Sequence, residues 1–155
     1  MTARAYVLLQ FILFGTYLLV PRWLPLALPG WLTTAGWVLA LCGIALVAWS
    51  SWKIRKALTV LPVPLPETRL LTDGPFRYVR HPIYSGLLLA AWGYALYTAH
   101  PARGLVTLVL GGLLWHKAAY EERLLALQFP DYPAYVARSG RLWPGGSTGA
   151  GEASE

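Results

Sequence analysis

Between Leu70 and Gly86 the chain reads L-L-T-D-G-P-F-R-Y-V-R-H-P-I-Y-S-G, and from Tyr120 it reads Y-E-E-R-L-L. The first stretch gathers Arg77, Arg80 and His81 among prolines, glycines and aromatics, and then opens an apolar run. The second sets two carboxylates, Glu121 and Glu122, side by side. Backbone N–H groups at a helix start, with Arg80 and His81 beside them, receive an anionic group. The paired carboxylates receive a cationic one. Tyr78, Tyr84 and Tyr120 supply rings that cover a flat group or a cation. Together these types suit a zwitterion with an aromatic part, approached from water, beside a greasy co-substrate.

The elements that must position these residues are apolar helices. Hydrophobic residues make up 56% of the 155 and charged residues 13%, against roughly 25% charged in soluble domains. That balance argues against a water-soluble globule and for an all-α, integral membrane bundle in one domain, residues 1–144. The formal charge of +6 comes from basic residues beside apolar runs, which points to topology and anionic lipid rather than nucleic acid. Cys42 is the only cysteine, so intrachain disulfides and multi-thiolate metal sites are excluded, and no metal is expected.

Four spans are predicted, at about 5–20, 31–52, 83–97 and 104–120, the last having the shortest wholly apolar part. Pro21, Pro25 and Pro29 make a rigid first connection rimmed by Trp23 and Trp31. Gly36, Ala40 and Gly43 share one face of the second span and permit close helix packing. Pro62, Pro64 and Pro66 remove backbone donors, so the start of the long polar segment after Lys53 should be extended. Pro82 stands in the first turn of the third span, where proline is tolerated. Beyond Glu121 a helix extension and then interfacial pieces are expected, interrupted by Pro130 and Pro133, followed by a Gly/Ser-rich disordered tail at 145–155. Arg22 and Arg103 fall on one side of such a bundle and the other basic residues on the opposite side, which places both termini and the site in the cytoplasm. The tryptophans at 23, 31, 49, 52, 115 and 143 read as interface anchors, while Trp37 and Trp92 read as packing within the spans.

His100 turns the third span into the fourth. His81 and Glu121 stand nearly the same number of residues from it on either side, so at ~1.5 Å rise per residue both arms end at similar depth. Spacing alone thus brings the Arg-His-Pro corner and the carboxylate pair to one membrane surface. A carboxylate pair at the end of a helix opposes its dipole and asks for a compensating cation. His116 reads as a packing or interface residue.

At these residues the chain resembles the isoprenylcysteine carboxyl methyltransferase and phospholipid methyltransferase superfamily. The likeness covers roughly Leu70 to Pro144: G-P-F-R-Y-V-R-H-P-I-Y-S-G, then E-E-R-L-L after one span, then the Tyr132-x-x-Tyr135 stretch. It implies a membrane-embedded, S-adenosylmethionine-dependent methyltransferase whose cofactor is held by the C-terminal half. The family's Arg-His-Pro-x-Tyr motif falls on Arg80, His81, Pro82 and Tyr84, with Gly86 just beyond, and its Glu-Glu motif on Glu121 and Glu122. By that resemblance these seven are the cofactor-binding positions, with Arg80 and His81 as positioning candidates for catalysis. The chain departs from the usual pattern at Phe129-Pro130 and at Ser139-Gly140-Arg141-Leu142-Trp143-Pro144.

The acceptor stays open among an isoprenylcysteine carboxylate, a phospholipid amine and a small thiol. Two other readings stay open: an NADPH-dependent enzyme similar to the sterol reductases, and a non-catalytic membrane protein that binds lipid or a partner. Glycine-rich faces on the second and fourth spans would permit a homodimer.

Overall fold

The computed structural model describes residues 3–20, 26–59 and 70–145. The elements run α1 (Ala3–Leu19), α2 (Gly30–Thr59), a 3-10 turn (Gly74–Arg77), α3 (Pro82–Tyr97), α4 (Pro101–Gln128) and α5 (Tyr132–Arg138). Among the described residues the class is all-α, the one piece of β pairing being an isolated bridge between Val79 and Gly140. One helical stretch, Gly30–Arg55, is long and apolar enough to cross a membrane; Arg4–Leu19 is apolar but shorter. The proline-rich connection at 60–69, most of the first connection and the tail from 146 lie outside the described residues.

Two helices outrun their expected spans. α2 continues past Trp52 to Thr59, because Lys53-Ile54-Arg55-Lys56-Ala57-Leu58 holds no helix breaker. α4 starts at Pro101 rather than Gly104 and continues past the expected span to Gln128, which is the helix extension expected beyond Glu121. Proline is suited to the first helical position, and no further proline intervenes before Pro130. Glu121 and Glu122 therefore stand inside a continuous helix rather than at its end. Their clash with the dipole is correspondingly weak, since that effect is confined to the last turn.

α2 and α3 pack backbone to backbone. A methyl added to Gly36 would lie 2.6 Å from the Tyr97 nitrogen, and one added to Gly86 would lie 2.7 Å from the Gly43 carbonyl oxygen. Small residues on both helices are what allow this approach. The glycine face of α2 is thus occupied by α3 of the same chain, whereas Gly112 on α4 has nothing near it.

The buried apolar cluster joins Leu88 of α3, Leu110 and Leu114 of α4 and Leu142 of the C-terminal segment, with Leu13, Phe14 and Tyr84 against it. Many outward side chains on α1 and α2 are large and apolar, among them Phe11, Leu18, Trp31 and Ile44. Trp37 is less a packing residue than expected: it is exposed, and its ring meets Tyr97 at 5.2 Å. Arg103 departs further from expectation. It is buried at the turn between α3 and α4, its guanidinium 4.9 Å from the Tyr94 ring centre and 5.9 Å from that of Tyr17. A planar guanidinium stacks on aromatic faces in a way a flanking cation at a lipid surface does not require.

Candidate active site

The loop entering α3 is shaped before it reaches the site. Lys53 of α2 pairs with Asp73, and Gly74 follows at φ 61°, a left-handed conformation that glycine adopts without strain. The 3-10 turn then leads into the short Tyr78–His81 strip. That strip is held by the C-terminal segment: Arg80 N–H donates to Gly140 O at 2.8 Å, His81 N–H to Arg141 O at 3.1 Å, and Gly140 N–H to Tyr78 O at 3.1 Å. The Ser85 hydroxyl donates to Leu142 O at 2.5 Å and the Tyr135 hydroxyl to Phe76 O at 2.6 Å. Pro82, buried at the first position of α3, starts that helix without an N–H to satisfy.

On this frame the corner forms in two layers. In the inner layer Glu122 is buried and gripped from both sides. Arg80 Nε donates to Oε1 at 2.8 Å, while Arg141 donates to Oε2 through Nε at 3.0 Å and Nη2 at 2.8 Å. Arg80 also donates through Nη1 to the Ser139 and Val136 carbonyls. His81 Nε2 lies 3.3 Å from Glu122 Oε1, off hydrogen-bonding alignment. In the outer layer the Tyr84 hydroxyl donates to Glu121 at 2.8 Å, and His81 Nδ1 lies 3.6 Å from Glu121 Oε2. The His81 and Tyr84 rings stack with their planes 2° apart. His81 therefore stands between the two carboxylates.

The layers differ in charge chemistry. Burial is the largest influence on Glu122 and opposes its charge. The contacts with His81, Arg141 and Arg80 together outweigh it and draw the carboxyl down to about 2. Glu122 is thus a fixed anion whose lone pairs are nearly all used. The Glu121 side chain is 36% exposed, against 10% for Glu122, and it keeps acceptor capacity open to a ligand. Burial also raises the phenols packed beneath the corner, Tyr135 to about 12 and Tyr132 beyond the ordinary range.

Of the seven residues singled out from the sequence, Arg80, His81, Tyr84, Glu121 and Glu122 converge directly. Pro82 frames them from within the backbone. Gly86 stands apart, turned toward Gly43 and Val47 of α2. Tyr120 faces Tyr6 of α1, ring centres 6.0 Å apart, and Tyr78 is exposed at the rim. His116 is exposed, and His100 is buried at the other end of the hairpin.

Sequence reasoning passed over Arg141, Ser85 and Lys117. Arg141 supplies two of the bonds to Glu122 and lies 4.5 Å over the Trp115 ring. A signal existed: two adjacent carboxylates in a weakly charged chain call for more than one cation, and Arg141 sits in the segment that continues the motif. An apolar groove of about 360 Å³, lined by Leu28, Trp92, Leu96, Ala99, Leu105 and Leu108, opens at the opposite end of the hairpin. It lacks the convergent charged groups found at the corner.

Residues 31–131 match the family model described as phospholipid methyltransferase. No curated protein and no solved structure matches the chain.

Proposed function

Because the chain belongs to the phospholipid methyltransferase family, and is thus a membrane methyltransferase, we propose that the His81–Tyr84–Glu121 corner binds S-adenosylmethionine for methyl transfer to a lipophilic acceptor. When bound, that cofactor supplies a methyl group on a cationic sulfur. The residues present suit it. Glu121 offers an accessible carboxylate to the ammonium or sulfonium charge. Arg141, with its side chain 24% exposed, has Nη1 outside its bonds to Glu122 and so offers a donor to a carboxylate. The exposed ring of Tyr78 is available to a flat base. The single observation that carries the proposal is the division of labour between neighbouring carboxylates, one locked by two arginines and the other open beside a histidine.

Glu122, Arg80 and Arg141 act as the frame: their ion-pair network holds the loop and α4 in one geometry. Precise placement is most of what an in-line displacement needs, because nucleophile, methyl carbon and leaving sulfur must lie on one line. Tyr84 and His81 orient Glu121. A carboxylate acceptor needs no base. An amine must shed a proton first, and His81, an imidazole 3.6 Å from Glu121, is the group placed to take it. In this reading α1 to α4 all span the membrane, with both termini and the corner on the cytoplasmic side.

Calorimetry on the detergent-purified protein tests it, with NADPH as the control ligand. Saturable S-adenosylmethionine binding is expected, weakened at least about tenfold in Glu121→Gln, the order expected for a hydrogen bond to a charged group. No binding by folded wild type would overturn the cofactor assignment, and binding of NADPH alone would favour a reductase.

A further inference from the structure

One turn before Glu121, deeper along α4, stands Lys117. Its ammonium donates to the side-chain oxygen of Gln10 on α1 at 2.9 Å and lies 5.0 Å from the centre of the Tyr84 ring. No carboxylate among the described residues lies within ion-pair distance of it. The neighbouring carboxylate, Glu121, is engaged instead by the Tyr84 hydroxyl and by His81.

An ammonium is costly in an apolar helix, and among the described residues it is met by a neutral amide and an aromatic face. With one hydrogen bond made among the described residues, two of its three donors are left for a ligand. The Tyr84 ring, whose hydroxyl meets Glu121, lies against this ammonium. The ammonium lies on the α1 side of Tyr84, where α1 closes against α4 through the Gln10 and Tyr6–Tyr120 contacts. Four residues of helix put it ~6 Å deeper than Glu121, a separation on the scale of a short polar headgroup.

Resting on the methyltransferase reading, we propose that Lys117 is the specificity-determining residue of the acceptor site and receives an anionic group of the acceptor. That group is either a phosphate diester close to the methylated atom or a carboxylate that is itself methylated. Gln10 holds the ammonium in place, and Tyr84 links this subsite to Glu121. The plain alternative is that Lys117 only pins α1 to α4.

Initial rates with labelled S-adenosylmethionine in mixed micelles decide between them, using dioleoyl phosphatidylethanolamine, N-acetyl-S-farnesylcysteine and hexadecylamine as acceptors. The wild type should prefer an acceptor that carries an anion over hexadecylamine. Response to the first acceptor assigns the anion to a phosphate, and response to the second assigns it to a carboxylate. Lys117→Met should raise the KM for that acceptor at least about tenfold, the order expected for a hydrogen bond to a charged group. The change in kcat should be smaller, cofactor affinity should stay within about twofold, and Lys117→Arg should recover much of the loss. Tyr6→Leu, which loosens α1 without touching the charge, should leave that KM near the wild-type value. An unchanged KM and preference in Lys117→Met, in protein that still binds S-adenosylmethionine, would overturn the proposal, as would wild-type turnover of hexadecylamine alone. Failure of the wild type to bind S-adenosylmethionine would overturn the underlying reading and this proposal with it.

Discussion

Arg80 and Glu122, 42 positions apart in the chain, meet as a buried ion pair with Nε 2.8 Å from Oε1. That pair, completed by Arg141, ties the loop before α3, the C-terminal part of α4 and the C-terminal segment into one unit. It also assigns different tasks to two identical neighbours, since the anion most firmly held is the one least available to a ligand.

Removing one partner of a buried pair leaves the others uncompensated, at a cost of ~3–5 kcal/mol. Glu122→Gln is therefore expected to lower unfolding stability by about that much. Glu121→Gln, at a half-exposed site, should cost less than ~1 kcal/mol. Denaturation midpoints of the two variants in the same detergent check this, and equal losses would contradict the division of labour.

The lowered Glu122 pKa of about 2 carries a pH signature. A carboxyl whose pKa is depressed on folding contributes its stability fully above its unfolded value. That contribution is lost as pH falls through the folded one. From the ordinary 4.5 down to about 2, wild-type melting temperature should drop progressively. Glu122→Gln, lacking the group, should show a flatter profile over that window.

At the α2–α3 contact a methyl on Gly43 would meet the Ala90 and Gly86 backbones. Gly43→Ala is expected to destabilise by ~1–3 kcal/mol, the usual range for overpacking. Gly112→Ala on the open face of α4 should be neutral or stabilising by up to ~1 kcal/mol through helix propensity. Thermal melts of the two variants side by side read the difference.

Tyr84→Phe keeps the ring that stacks on His81 and removes the hydroxyl that holds Glu121. We expect little change in melting temperature and a loss of S-adenosylmethionine affinity of about tenfold, the scale of a hydrogen bond to a charged acceptor. Calorimetric titration measures it directly.

Helical class and the meeting of His81 with the carboxylate pair were legible in the sequence, for a local reason. Apolar runs and prolines mark where helices begin, and a constant rise per residue aligns the two arms of a hairpin whose turn is known. Residue types carried the chemistry as far as a cation-accepting and anion-accepting corner. Which glutamate is locked was not legible. Adjacent residues on a helix point about 100° apart, so Glu121 and Glu122 must face different neighbours. Their assignment depends on how α4 is rotated about its own axis, and that rotation is set by Leu110 and Leu114 packing against Leu88 and Leu142. The same long-range packing turns the α2 glycines toward α3, lays the 139–142 segment along the loop and brings Gln10 of α1 to Lys117. Local sequence determined that the main elements are helices and roughly where they lie, while contacts between distant segments decided which way each one faces.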